Sequence, residues 1–298
     1  MVRLTTALTI AYLAATALLI GVLGRALPDW PWRVAAHLVA CAGLLVVVLR
    51  PEPLPRTLAV ARDWHPLVLF PLLYREVEVL AAVMGDWRLT ETVAATEAAL
   101  FGGQPSLYLS ERLPFVLLSE YLHFCYLAYV VVIPAVAAWW YAGGRRAAFH
   151  ELVLLLAAVM YSSYLFFILF PVDSPYYRFD RLAAPLAGNP FFDLVHAMSA
   201  RGGAHGGAFP SAHVSGAVVV ILVAWRHQRR AAVLLAPIVL GVIVATVYGR
   251  FHYAVDAIAG AALALIVAGV HTIAAAPAGV HLSVSTVAAA DRTHGDQK

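Results

Sequence analysis

The sequence predicts an all-α protein, a polytopic transmembrane helix bundle with six to eight spans. Three observations predict it. Apolar residues make up 62% of the 298 residues and charged residues 12%, against about 45–50% and about 25% in soluble domains. The mean hydropathy is +0.80. The apolar residues also fall in runs near the 20 or so that a helix needs to cross about 30 Å of hydrocarbon. So little charge leaves the surface of a water-soluble fold uncovered. A soluble enzyme, a disordered chain and a disulfide-stapled secreted domain are excluded.

Taken in order, the first run, 4–24, carries no charge and reads as a retained span, because no small-residue cleavage site follows it. The run 34–49 is shorter, but Trp30 and Trp32 before it form an interfacial aromatic belt. Pro51, Pro53 and Pro55 then break the chain. Residues 64–84 are apolar yet contain Arg75, Glu76 and Glu78, so they either cross with those charges facing the protein or lie in the interface. The mixed stretch 85–113 reads as a short amphipathic cap outside the bilayer. Five firmer spans follow, at 114–141, 152–170, 209–225, 231–249 and 257–275. Three units are expected: N-terminal transmembrane helices in 1–60, a catalytic transmembrane domain in 61–275, and a polar tail in 276–298.

Charge sets the orientation. The formal net charge is only +3, and Lys298 is the one lysine, which argues against a nucleic-acid partner. Arg145 and Arg146 occupy one inter-span loop; Arg226, Arg229 and Arg230 occupy another. Short cytoplasmic loops are enriched in such residues, so both loops are placed inside. Parity then puts the loop 171–208, the turn at Arg250 and the start of the last helix on the extracytoplasmic side. Eight spans would also put Arg50, Arg56 and Arg62 inside. Cys41 and Cys125 stand in separate apolar stretches and read as packing residues, with no disulfide expected.

Two short extracytoplasmic segments hold polar residues that burial in a membrane disfavours. One is the Gly-rich run 202–207 leading through Phe209 and Pro210 to Ser211 and His213; the other contains Arg250, His252 and Asp256. His252 and Asp256 are four apart and share a helical face. A carboxylate there can fix one imidazole nitrogen and leave the other to attack. Arg250 can fork onto two anionic oxygens. A helix N-terminus behind a Gly-rich loop favours an anion; Ser211 adds a hydroxyl and His213 a group able to transfer a proton. Together they read as a phosphate site needing neither metal nor cofactor.

Blander readings compete. His37, His123 and His271, each alone in an apolar stretch, read first as packed core residues. The arginine loops read as topology determinants and headgroup contacts. A serine hydrolase would need a Gly-x-Ser-x-Gly elbow, which is absent around Ser211. A metal site drawn from His205, His213, His252 and Asp256 would leave Arg250 without a role and set it beside a cation.

At these residues the chain resembles the type 2 phosphatidic acid phosphatase superfamily, which also contains the vanadium haloperoxidases. That family's signature is Lys-x6-Arg-Pro, Pro-Ser-Gly-His and Ser-Arg-x5-His-x3-Asp. Here Pro210, Ser211, Ala212 and His213 form the second part, and Arg250, His252 and Asp256 a shortened third. Ala212 and the compressed third part look like the branch containing inositol phosphorylceramide synthases. The first part departs: Arg178 takes the arginine's place, but Pro171 stands where lysine is expected and Phe179 follows instead of proline.

The resemblance implies a six-helix catalytic core and a phosphohistidine mechanism. His252 would be the nucleophile, Asp256 its orienting partner and His213 the acid and base. Arg250, Arg178, Ser211 and backbone N–H groups near Gly207 and Phe209 would bind the phosphate; Asp173 is a candidate contact to a substrate hydroxyl. The expected substrate is a lipid phosphate ester at the outer face of a bacterial plasma membrane, with water or a lipid alcohol as acceptor. A non-catalytic lipid transporter or scaffold on the same fold is the alternative.

Overall fold

The computed structural model describes residues 1–275 apart from 86, 183 and 184. The expected polar tail 276–298 lies outside the described residues. Among the described residues twelve α-helices run in order: α1 (Val2–Leu23), α2 (Trp30–Leu49), α3 (Arg56–Val83), α4 (Thr90–Phe101), α5 (Pro105–Arg112), α6 (Val116–Ala142), α7 (Arg146–Leu169), α8 (Pro175–Arg178), α9 (Pro190–Gly202), α10 (Ala212–His227), α11 (Arg229–Tyr248) and α12 (Ala254–Ala275). Among the described residues six, α1, α2, α6, α7, α11 and α12, are long and apolar enough to cross a membrane. The protein is an integral membrane helix bundle.

The other two expected spans are also helices, each with a physical reason for standing apart. α10 has only 16 residues, about 24 Å at 1.5 Å per residue, because residues 209–211 are spent on the loop before it. α3 has 28 residues but keeps its charges near its two ends. Close to its start Asp63, only 7% exposed, lies beside Arg62 and takes a hydrogen bond from Tyr141. Near its far end Glu76 pairs with Arg33 and His37 of α2. Arg62, Asp63 and Glu76 therefore meet protein partners, as intramembrane charges must, while Arg56, Arg75 and Glu78 are exposed. The stretch 85–113 becomes the two short helices α4 and α5.

α7 is the centre. Its residues Phe149, Leu152, Leu156 and Phe167 are fully buried, and it packs against α1, α3, α6, α10 and α12. The outer helices turn large apolar side chains outward, among them Val39, Leu117 and Leu234. In lipid that is no penalty, and association rests on close packing instead. Gly260 of α12 is one such point: a Cβ there would stand 2.4 Å from the Ser211 carbonyl oxygen. Only a bare Cα lets α12 press against the start of α10.

Candidate active site

Three loops converge at one end of α7. Val172 donates to the Gly206 carbonyl at 3.0 Å, and Ala208 donates to the Val172 carbonyl at 3.0 Å, forming a single parallel bridge between Val172 and Gly207. Gly206 has φ +85°, and a Cβ there would stand 2.8 Å from the Pro171 Cβ, so glycine is required. The Ser174 hydroxyl donates to the Phe251 carbonyl at 2.6 Å. Residues 171–174 thereby tie the Gly-rich loop to the turn carrying Arg250 and His252.

That turn is tight. The N–H groups of Phe251 and His252 both donate to the Thr246 carbonyl, at 3.0 and 2.8 Å, and Arg250 sits in the left-handed region at φ +62°. A non-glycine residue pays of order 1–3 kcal/mol for such a conformation, which persists where surrounding structure over-determines it. The strained turn delivers His252 to a nearly enclosed place. Its Nδ1 lies 2.9 Å from the Ala208 carbonyl oxygen and 3.6 Å from Asp256 Oδ2. The closer acceptor is thus the backbone carbonyl, not the carboxylate that the four-residue spacing predicts. Asp256 Oδ2 instead accepts the Tyr253 N–H at 2.8 Å. Either way Nδ1 carries the proton and Nε2 keeps its lone pair. Burial pushes the His252 imidazole down to about 4, against the pull of the Ala208 carbonyl, so the ring is neutral near pH 7.

His213 opens α10, its ring 5.7 Å from that of His252 and stacked on Tyr126 at 4.8 Å. The two histidines line one cavity of about 370 Å³. Six tyrosines, Tyr74, Tyr126, Tyr129, Tyr164, Tyr176 and Tyr177, share the lining with Gly207 and Ser174, and no arginine, lysine, aspartate or glutamate does among the described residues. Pro71 and Val130 also line it, and Val130 is 57% exposed on the bundle's flank. Arg75 reaches the rim, with Nη1 3.9 Å from the point a Cβ on Gly202 would occupy.

Of the remaining expected site residues, Arg250, Arg178, Ser211, Phe209 and Asp173 do not line the cavity. Arg250 donates through Nη1 to the Asp180 carbonyl at 2.6 Å and through Nη2 to Ser110 and Glu111. Arg178 forks onto Glu91. Both guanidiniums are therefore held by acceptors outside the cavity, among them carboxylates of α4 and α5, a partnership the sequence did not announce. Ser211 is fully buried and caps α10, accepting the Val214 N–H at 3.3 Å. Gly207 donates to Ala204, and Phe209 packs beside Tyr253 and Val172. Asp173 is a staple: its Oδ1 accepts the Gly206 N–H at 2.8 Å, and Arg88 and His205 flank it. Among the described residues no group of three or more His, Cys, Asp or Glu is placed to hold a metal ion.

Residues 91–270, more than half of the chain, match the PAP2 superfamily. The chain belongs to the PAP2 superfamily. Membership supports a phosphatase-type phosphoesterase, and no curated protein or solved structure gives a match that would narrow the reading further. The matched stretch of this PAP2 protein contains both histidines, both arginines and the cap helices that hold them. Sequence reasoning missed the tyrosine lining. Tyr126 and Tyr129, three apart on one helical face, were the available signal, but the cavity they face is assembled from α3, α6, α7, α8, α9, the start of α10 and two loops.

Proposed function

We propose that the protein cleaves a lipid phosphate ester at the extracytoplasmic face, by way of a phosphohistidine on His252. The observation that carries the reading is the pairing of His213 and His252 in one tyrosine-lined cavity that reaches the lipid-facing flank at Pro71 and Val130. His252 Nε2 attacks phosphorus in line, the bond from phosphorus to the leaving oxygen breaks, and His213 gives that oxygen a proton. His213 then takes a proton from the acceptor, whose oxygen displaces phosphorus from Nε2 and restores the imidazole. Asp256 stands behind Nδ1, where it favours the cationic ring of the intermediate. The incoming phosphate supplies oxygens for which Arg250 and Arg178 exchange Glu111 and Glu91.

With water as acceptor the reaction is a phosphatase; with a lipid alcohol it is a head-group transfer. Ala212 and the compressed spacing of Arg250 and His252 favour the transfer as a second reading. The complete set of His213, Arg250, His252 and Asp256 argues against an inactive transporter or scaffold. Purified protein would be given phosphatidic acid, a polyprenyl diphosphate, or phosphatidylinositol with diacylglycerol or ceramide. Phosphate release marks the phosphatase and a new phosphoinositol lipid the transferase, and His252→Ala lowers either by about two to four decades. Full activity in His252→Ala sinks the mechanism. Loss on chelation, restored by zinc, contradicts a metal-independent reaction.

A further inference from the structure

α12 begins with a cap that is only half its own. Asp256, three residues after Tyr253, reaches back to the Tyr253 N–H, one half of a capping box. The other half needs a short polar side chain at the first position to accept an N–H one turn inside the helix, and Tyr253 cannot supply it. The acceptor comes from another helix. Glu97 of α4 is 0% exposed, and its Oε2 accepts the Val255 N–H at 3.2 Å. Its Oε1 has no partner among the described residues.

We propose that Glu97 is a positioning residue for His252 and Asp256, replacing the missing cap side chain of α12 and so fixing the turn that aims the imidazole. This rests on the function proposed above. Glu97 neither lines the cavity nor touches His252; it acts on the backbone on which both members of the pair are mounted. A carboxylate is costly in such a place. Burial, with the nearby Asp256 adding its like charge, pushes Glu97 up to about 7. Packing alone would be served by leucine, so the carboxyl is there for its oxygen.

The test compares Glu97→Gln, which keeps an acceptor oxygen, with Glu97→Ala, which removes it. The Gln variant is expected to stay close to wild type. The Ala variant is expected to lose about a hundredfold in kcat, the scale of a 1 Å misplacement, with KM unchanged. Amide hydrogen exchange at residues 253–257 in nanodiscs is expected to quicken in the Ala variant and not in the Gln variant. Wild-type kcat in Glu97→Ala, a change in KM alone, an equal fall in both variants, or unaltered exchange in Glu97→Ala would overturn the proposal. Should the wild type turn over no lipid phosphate, the functional reading has failed while the exchange measurement still decides the cap.

Discussion

The two halves of the site are built on opposite principles. His252 is set by buried backbone: a turn tied to Thr246, a carbonyl at Nδ1 and a segment stapled by Ser174. Arg178 and Arg250 are held from the cap, partly by carboxylates that are themselves well exposed; Glu111 is 64% and Glu91 79% exposed at the side chain. The first half is preorganised and has nowhere to go. The second is latched, and an anion can compete for it. On the proposed mechanism, the difference separates the group that is aimed from the groups that are recruited.

Three measurements probe the two halves of the site. His213→Asn removes the only other imidazole in the cavity lining among the described residues, and kcat should fall by about two to four decades with little change in KM; near-normal turnover would move the acid elsewhere. Next is the pH profile. His252 sits at about 4 because it is buried, so kcat/KM should hold down to that region and fall below it. A limb near 6.5, the value of an exposed histidine, would show the ring open to water. The sign for stability follows: between about 6.5 and 4 the unfolded chain binds the proton that folded His252 refuses, so this group's contribution is lost as pH falls through that window. Thermal unfolding at several pH values reads it. The smallest effect belongs to the latch. Glu111→Gln frees Arg250 from a screened pair, and KM should fall about two- to fivefold at unchanged kcat; a raised KM would show that Glu111 helps to bind substrate.

Much of the fold was legible because hydrophobic runs report helices directly: all eight expected runs are helical. What runs cannot report is why α3 tolerates its charges, since Arg33 and His37 come from another helix. The site was legible where its logic is local. The spacing of His252 and Asp256 brings them within 3.6 Å, and Pro210 to His213 does open a helix. It was opaque where the partner is distant in sequence. Ala208 lies 44 residues from His252, and Glu111 139 from Arg250. No spacing rule spans such separations.

The uncharged lining has a consequence for what leaves as well as what enters. Inorganic phosphate in that cavity would give up its hydration and meet phenols and imidazoles, with no arginine or lysine on the walls among the described residues. A lipid offsets that cost with its tail; free phosphate has no tail. Recruiting Arg250 and Arg178 serves either anion alike, so the tail makes the difference, and inorganic phosphate should inhibit far more weakly than the lipid phosphate binds.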